Sequence, residues 1–139
     1  MFITFEGGDG AGKTTQIELL KAALEKEGRS VVVTREPGGN AVAEKIRELL
    51  LDRASVMDDM TEAYLYAAAR AEHVRAVILP ALARGQVVLC DRFIDSSVAY
   101  QGYGRQIGAE RVEALNREAV DGCMPERTYL LRLSEQDAA

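Results

Sequence analysis

The sequence is poor in the residues that build disulfide frameworks, metal sites and catalytic triads. Among its 139 residues only two are cysteine, Cys90 and Cys123, too few for a disulfide framework and without metal-ligand spacing. We interpret both as small buried hydrophobic residues. The single histidine, His73, has no neighbours that suggest a triad or a metal set, so we expect it in a packing or surface position.

An excess of positive charge and long apolar runs are also absent. The formal net charge of −5 argues against a nucleic-acid surface, which usually carries a basic patch. The sequence shows no basic leader with an apolar core and no run of membrane-spanning length. We therefore expect a cytoplasmic protein in a reducing compartment, with neither nucleic acid nor membrane as a partner. With 47% apolar and 28% charged residues, and no repeat or linker, residues 1–139 are expected to form one domain.

Strand and helix patterns alternate along the chain. Short β-prone runs predict strands at residues 2–5, 30–34, 87–90 and 128–133. Helical patterns are found at residues 13–26, around 44–51, and at 61–84, where Pro80 is expected to bend the helix. Continuous apolar strands separated by helices are typical of a parallel sheet covered on both faces. The expected fold is therefore α/β, a three-layer α/β/α sandwich with right-handed crossovers.

The most specific chemical signal is a glycine-rich turn between the first predicted strand and helix. Residues 7–14 read Gly-Gly-Asp-Gly-Ala-Gly-Lys-Thr and fit the phosphate-loop pattern G-x-x-x-x-G-K-[ST] in the required context. Such a turn presents backbone N–H groups to phosphate oxygens, and the following helix adds the positive end of its dipole. The residues expected to bind ATP are Gly7, Gly8, Asp9, Gly10, Ala11, Gly12, Lys13, Thr14 and Thr15.

Three catalytic residues and a metal site are predicted around this loop. Lys13 supplies a mobile cation, and Thr14 offers a hydroxyl to Mg²⁺, the expected cofactor. Asp91 and Arg92 follow a buried strand, at the edge where open α/β sheets bind ligands. Asp91 is expected to hold a water of Mg²⁺, and the planar fork of Arg92 can span two phosphate groups. The predicted catalytic residues are Lys13, Asp91 and Arg92. The loop itself does not decide the reaction, because GTPases, ATPases and small-molecule kinases share it.

Four separated motifs narrow the choice. They are Phe-Glu-Gly at 5–7, Thr-Arg-Glu-Pro-Gly-Gly at 34–39, Ala-Ala-Arg at 68–70, and Asp-Arg-Phe-Ile-Asp-Ser-Ser-Val-Ala-Tyr-Gln-Gly at 91–102. Together, and in this order, they resemble the motifs of the bacterial thymidylate kinases. The resemblance implies the P-loop NTPase fold and a nucleoside monophosphate kinase that transfers the γ-phosphoryl group of ATP to dTMP. It also implies a homodimer formed through helices that flank the sheet.

The resemblance further implies an acceptor site for dTMP. Tyr66 would stack on the thymine ring, and Arg70, four residues on, would donate to O4 of the base. Because arginine is only a donor, it would face the amino group of cytosine unfavourably. Asp9 would point at the 3′-hydroxyl of the sugar, and Tyr100 would crowd the place of a ribose 2′-hydroxyl. The other dTMP contacts that the resemblance implies are Arg35, Glu36, Pro37, Arg47, Arg92, Ser96, Ser97 and Gln101.

A helix after Asp95 is expected, because Ser96, Ser97, Tyr100 and Gln101 lie three and four residues apart and would share a side of it. Asp95 is expected to cap this helix.

The phosphate loop departs from some family members because it contains no arginine. By resemblance, the missing basic group then belongs to a lid after the fourth strand, which also contacts adenine. We expect the 139 residues to lack this C-terminal lid and adenine-contacting region, and therefore to bind acceptor nucleotide but to be weak or inactive as a kinase alone. Two alternatives stay open: a kinase for another pyrimidine nucleotide, and a non-catalytic nucleotide-binding module.

Overall fold

The computed structural model describes residues 1–8, 10–98, 102, 104 and 107–132, without the side chain of Ser96. The strands are β1 (Phe2–Glu6), β2 (Val31–Arg35), β3 (Val87–Asp91) and β4 (Arg127–Leu130). The helices are α1 (Lys13–Lys26), α2 (Ala41–Leu51), α3 (Asp59–His73), a π-helical segment (Val74–Ile78), α4 (Leu79–Ala83), α5 (Ile94–Ser97) and α6 (Ala109–Val120). Each helix in these ranges is too short or too polar to cross a lipid bilayer.

The four strands form a parallel sheet in the order β2-β3-β1-β4. β1 lies between β3 and β4, with Phe2 opposite Val88 and Ile3 opposite Arg127. From β1 the chain crosses over β3 to reach β2 on one side, whereas β4 lies on the other side. The order therefore switches direction at β1, and the crevice beyond the carboxyl end of such a strand is the usual ligand site of open α/β sheets.

The apolar side chains of the strands are divided between two cores, one on each face of the sheet. This follows because successive residues of a strand face opposite sides of a sheet. The core on the α1 side contains Ile3, Phe5, Ile17, Val87 and Leu89. The core on the other side contains Phe2, Val74, Ile78, Ala81, Val88, Cys90, Phe93, Ile94, Val120 and Cys123. Most of its helical residues come from the π-helical segment, α4 and α6. Helices thus cover both faces, which confirms the predicted three-layer α/β/α sandwich.

The long helical run predicted at 61–84 is confirmed, but it contains a feature that the sequence did not indicate. α3, the π-helical segment and α4 follow one another without interruption from residue 59 to residue 83. The N–H of Leu79 donates to the carbonyl of Val74, five residues back rather than four. This wider turn directly precedes Pro80, which has no N–H to donate and whose ring would cost about 3 kcal/mol in an unrelieved helix. The π-helical segment therefore lies where the proline requires relief.

Two local predictions were wrong. The last strand, predicted at 128–133, ends at Leu130, because its partner β1 ends at Glu6, whose carbonyl accepts the N–H of Leu131. Asp95 does not cap α5 but lies in its first turn, and Phe93 occupies the cap position without a side-chain hydrogen bond. The N–H of Phe93 instead donates to Oε1 of Glu6 over 2.6 Å.

The two cysteines are buried and unpaired, which confirms their interpretation as small hydrophobic residues. Burial raises the pKa of the Cys90 thiol well above its usual range, and the charge of Glu36 raises it further. Burial also raises the pKa of Cys123. Since the thiolate is the reactive form, we expect both thiols to react slowly in the folded protein.

This burial leads to a prediction about thiol chemistry. At mildly alkaline pH, neither Cys90 nor Cys123 should react with a chromogenic disulfide reagent while the protein is folded, because both thiols are shielded and protonated. Absorbance during titration should show both thiols reacting only after unfolding in guanidinium chloride. Rapid modification of either cysteine in the native protein would contradict the packing described above.

Candidate functional site

A cleft of about 1170 Å³ lies at the carboxyl edge of the sheet. Residues after β1, β2 and β3 line it, together with residues of α1, α2 and α3. On the predicted donor side the lining residues are Gly7, Gly8, Gly10, Gly12, Lys13, Thr14, Thr15 and Asp91. On the predicted acceptor side they are Arg35, Glu36, Pro37, Arg47, Tyr66, Arg70, Arg92 and Ser97. One cleft therefore brings together most of the residues that the sequence singled out.

A few predicted site residues are not placed there. Asp9, Tyr100 and Gln101 lie outside the described residues, as does the side chain of Ser96. Ala11 is described but is not among the residues that line the cleft. Conversely, the lining includes Glu6, Leu51, Asp95, Thr128 and Leu130, to which the sequence had given no ligand-binding role.

The glycine turn ends directly at the first turn of α1. Gly12 occupies the N-cap position with a φ of 92°, a left-handed conformation that glycine adopts without strain. Because Gly12 has no side chain, it does not accept from the first N–H groups of α1, which point out of the helix toward its N-terminal end. The start of such a helix favours the binding of a phosphate group, because its free N–H groups can donate to the phosphate and its dipole attracts negative charge.

Lys13 is buried beside the turn and contacts Asp91. Its ammonium nitrogen Nζ donates to the carbonyl of Gly7 over 2.8 Å and lies 3.3 Å from Oδ1 of Asp91. The second contact has ion-pair distance but not hydrogen-bond geometry, since this oxygen is buried and has no hydrogen-bond partner in the described part of the chain. A buried carboxylate oxygen of this kind is normally completed by a ligand, an ion or water.

The oxygen groups around Asp91 fit Mg²⁺. The metal prefers oxygen ligands and keeps several waters, so that one or two protein oxygens and the phosphates of the substrate suffice. The described residues hold no cluster of three His, Cys, Asp or Glu side chains that could bind a metal without a substrate. Oδ1 of Asp91 and the hydroxyl of Thr14 in the first turn of α1 are oxygens of the kind that could hold a nucleotide-bound Mg²⁺.

Three arginines crowd the acceptor side of the cleft. Arg47 on α2 donates to the carbonyl of Pro37 over 2.8 Å, and Arg35 at the end of β2 donates to Glu44 over 3.1 Å. Burial lowers the pKa of Arg47, and the positive charges of Arg35 and Arg92 lower it further, while Glu44 raises it. Arg47 thus experiences the positive charge of both neighbours, and an anion between them would offset this charge.

Arg92 has a backbone conformation that is unusual for its type. Its φ of 70° lies in the left-handed region, which costs a residue other than glycine about 1–3 kcal/mol. Its N–H donates to the carbonyl of Phe5 over 2.8 Å, so the ladder between β3 and β1 continues through this residue. Strain of this kind is typical of functional sites, and at this position Arg92 lines the cleft directly after Asp91.

Arg70 is almost fully buried at the floor of the cleft, with 3% of its surface exposed. Its Nε donates to Oε1 of Glu36 over 2.5 Å, Nη1 donates to Oδ1 of Asn116, and Nη2 donates to the carbonyl of Phe93 over 3.1 Å. The guanidinium also lies 5.3 Å from the centre of the Phe93 ring, within the range of a cation–π contact. Its predicted contact with a base stays a prediction.

His73 extends this set of contacts into the core. It is fully buried, which agrees with the expected packing position, but both ring nitrogens also have polar partners. Nδ1 lies 2.7 Å from Oε2 of Glu36, and Nε2 lies 2.6 Å from the hydroxyl of Thr34. We call Thr34, Glu36, Arg70, His73 and Asn116 the Arg70 network. The three-residue spacing of Arg70 and His73 on α3 is a signal in the sequence that both side chains face the same side of the helix.

Comparison with known proteins decides the family. The family model described as thymidylate kinase matches residues 5–139. The chain belongs to the thymidylate kinase family. A thymidylate kinase of Exiguobacterium sibiricum is 53% identical over 138 residues, which are 99% of this chain and 65% of the relative. A thymidylate kinase of Bacillus pumilus is 51% identical, with the same two shares covered. The chain therefore spans about 65% of the length of these curated relatives.

A solved structure agrees with this membership. The crystal structure of thymidylate kinase from Ehrlichia chaffeensis is similar with a TM-score of 0.89 and 43% sequence identity, over 98% of this chain and 78% of that one. The P-loop NTPase fold is thus confirmed, as is the family resemblance that rests on the four motifs. Each motif contributes a side chain to the cleft lining: Glu6, Arg35, Arg70 and Arg92. This thymidylate kinase fold therefore brings to one place motifs that are far apart in the sequence.

The close packing of Gly39 on His73 provides a test of the site geometry. A Cβ at Gly39 would lie 2.1 Å from Cδ2 of His73, and the φ of 113° is unfavourable for any other residue. Gly39→Ala should therefore lower the free energy of unfolding by about 3 kcal/mol or more, through overpacking and backbone strain together. Urea denaturation followed by circular dichroism measures this difference.

The matched control is Gly28→Ala. Gly28 also has a positive φ, 83°, but a Cβ there meets no atom within 4 Å. This variant should lose only the backbone contribution, about 1 kcal/mol. Equal losses in the two variants would show that Gly39 does not press on His73 as described.

Proposed function

We propose that the chain is the nucleotide-binding part of an ATP-dependent thymidylate kinase, which transfers the γ-phosphoryl group of ATP to dTMP and gives dTDP. One observation carries the proposal: a single cleft joins a phosphate loop to three arginines, Arg35, Arg47 and Arg92. Two anion sites in one cleft suit a reaction that brings two nucleotides together. The curated relatives bear the name thymidylate kinase, which agrees with this reading of the geometry.

In this proposal the donor nucleotide occupies the phosphate loop. The proposed ATP-binding residues are those of the turn and the first turn of α1, from Gly7 to Thr15, with Lys13 as the cation for the phosphates. Thr14 and Asp91 would hold Mg²⁺, directly or through water, and Mg²⁺ when bound neutralises charge on the β and γ phosphates. The buried Oδ1 of Asp91, which lacks a hydrogen-bond partner among the described residues, supports this assignment.

The acceptor nucleotide then occupies the opposite side. Arg35, Arg47 and Arg92 would bind its phosphate. Their place in one cleft, where Arg35 and Arg92 lower the pKa of Arg47 by their charge, supports this role. Tyr66 would stack on the thymine, and Arg70 would donate to its O4. The remaining proposed dTMP contacts are Asp9, Glu36, Pro37, Ser96, Ser97, Tyr100 and Gln101.

The proposed reaction is an in-line transfer that requires no general base. The second pKa of a phosphate monoester is about 6, so the acceptor phosphate is mostly dianionic and nucleophilic at neutral pH. The obstacle is the approach of two polyanions. Lys13 and Arg92 would reduce the electrostatic repulsion between the two nucleotides by placing positive charge on each side of the transferred group. They would also fix the geometry of this group. Positioning and charge neutralisation therefore account for the catalysis.

Three further features are part of the proposal. Residues 1–139 act as one P-loop kinase domain, which the continuous sheet with helices on both faces supports. The protein forms a homodimer, which the exposed apolar side chains of Val42 and Leu49 on α2 support. It works in the cytoplasm, which agrees with two unpaired thiols.

The substrate assignment is tested by binding of pyrimidine nucleotides. The chain should bind dTMP at least about tenfold more tightly than dCMP, because Arg70 donates to a carbonyl but cannot accept from an amino group. Isothermal titration calorimetry with dTMP, dUMP and dCMP measures the three affinities. Equal affinity for dTMP and dCMP would favour a kinase for another pyrimidine nucleotide, and no binding of any of them would refute the acceptor site.

The phosphate site is tested by Arg47→Met, which keeps the length of the side chain but removes its charge. Affinity for dTMP should fall by about 10-fold to 100-fold, since a hydrogen bond to a charged group contributes about 1.5–3 kcal/mol. Affinity for thymidine, which has no phosphate, should stay within about twofold of the unmodified protein. Calorimetry with both ligands separates the two effects.

Arg53→Met serves as the control, because Arg53 is exposed and does not line the cleft. It removes the same charge from the whole protein and should leave dTMP affinity unchanged. A similar loss in both variants would mean that net charge, rather than a built phosphate site, governs binding.

A further inference from the structure

Arg70 is anchored at each of its three nitrogen atoms. A guanidinium group has five N–H bonds, one on Nε and two on each Nη. Glu36, Asn116 and the carbonyl of Phe93 each accept one of them. The second N–H of Nη1 and that of Nη2 have no partner among the described residues, and Arg70 lines the cleft. These two N–H bonds are therefore the ones left for a bound nucleotide.

Asn116 fixes the Nη1 side of this group. The residue lies on α6, is 1% exposed, and donates from Nδ2 to the carbonyl of Val112 over 2.8 Å. Its Oδ1 accepts from Nη1 of Arg70. A flipped amide would place its donor against the guanidinium and its acceptor against the carbonyl, so the two neighbours allow a single orientation. Through this hydrogen bond, the position of α6 determines where Nη1 of Arg70 lies.

His73 fixes the Nε side through Glu36. An ionised carboxylate only accepts hydrogen bonds, so Nδ1 of His73 carries the proton in its contact with Oε2 of Glu36. The hydroxyl of Thr34 holds the other ring nitrogen, and the imidazole packs closely under Gly39. The carboxylate of Glu36 is therefore held at one oxygen by His73 while the other oxygen binds Arg70.

Stability alone is a weak reason for such a network. A buried ion pair such as Arg70–Glu36 contributes little net stability, because desolvation of both charges offsets their attraction. The Arg70 network also borders the cleft rather than filling the middle of a core, since both Arg70 and Glu36 line the cleft. The hydrogen bonds of the network instead suit an arginine whose guanidinium group is held in its binding orientation before a ligand binds.

We propose that Asn116 and His73 are positioning residues that orient Arg70, and that they thereby set the preference for a carbonyl at position 4 of the pyrimidine. Neither residue needs to contact the nucleotide. The inference rests on the proposed function, because it takes dTMP as the ligand of the cleft.

The decisive variant is Asn116→Leu, which keeps the approximate volume but removes both polar groups. The ratio of dTMP to dCMP affinity should fall about tenfold, because a misoriented guanidinium group of Arg70 no longer donates well to the carbonyl at position 4. Affinity for ATP with Mg²⁺, bound at the phosphate loop, should stay within about twofold. Isothermal titration calorimetry gives all three affinities. An unchanged ratio in a folded variant would overturn the role of Asn116.

Arg75→Met is the matched control, because Arg75, in the π-helical segment, donates to the carbonyl of Ala71 on α3 and also reaches α6. Its Nη1 donates to the carbonyl of Ala119 over 2.6 Å on the exposed side of the helices. This variant weakens the same pair of helices without touching Arg70. The nucleotide preference should therefore remain that of the unmodified protein. An equal fall of the preference in Arg75→Met would assign the effect to general loosening and refute positioning.

Two substitutions of His73 keep the inference testable even if Asn116→Leu does not fold. His73→Asn places an amide donor near the position of Nδ1 and should retain most of the preference for dTMP over dCMP. His73→Leu leaves Glu36 without this donor, and the preference should fall about tenfold. Equal preference in the two His73 variants would overturn the role of His73. Failure of the unmodified protein to prefer dTMP would instead refute the proposed function, so the two failures are distinguishable.

Discussion

The site depends on the parallel register of β1, β2 and β3. Arg35 and Phe5 both lie opposite Asp91, so the three strands end at one level. The next residues continue this alignment, since Glu36 donates its N–H to the carbonyl of Asp91 and Arg92 donates to that of Phe5. A shift of one residue in either pairing would exchange the two faces of a strand and bury these charged groups among apolar ones. The same hydrogen bonds that hold the sheet therefore place the charges around the cleft.

Charge in this protein is arranged locally rather than over the whole surface. The net charge is −5, which would repel a nucleotide phosphate at long range. Around the cleft, however, Lys13 is held at Asp91, and Arg47 feels the charges of Arg35 and Arg92. Because salt screens distant charges over about 8–10 Å, the groups that line the cleft dominate what a bound phosphate experiences. The composition argues against a nucleic-acid surface without arguing against a phosphate site.

The sequence predicted those parts of the structure that arise from local preferences. The strands at 2–5 and 87–90, helix α1 and the glycine turn are specified by short runs of residues, and their limits were predicted within a residue or two. The Arg70 network was not predicted, because Arg70 meets Glu36 across 34 positions and Asn116 across 46. No spacing rule covers such contacts, since they arise only when α3 and α6 pack on the same face of the sheet. The prediction that Asp95 caps α5 was wrong for a similar reason. The N–H of Phe93, at the cap position, donates to the carboxylate of Glu6, which is distant in the sequence.

The proposed acceptor side of the cleft contains two kinds of arginine, which differ in burial and in their contacts. Arg70 is buried and held by protein groups, so the conformational entropy of its side chain, worth about 2 kcal/mol, is lost on folding rather than on binding. Arg35 is more than half exposed and held by Glu44 alone among its described ion-pair partners, and Arg47 lies in repulsion with its neighbours. In the proposed site, these two side chains would gain further favourable contacts when an anion binds. In the proposed site, Arg70 would select the base and Arg35 and Arg47 would bind the phosphate. Selectivity and affinity would then be separable, because changes to one group of arginines need not disturb the other.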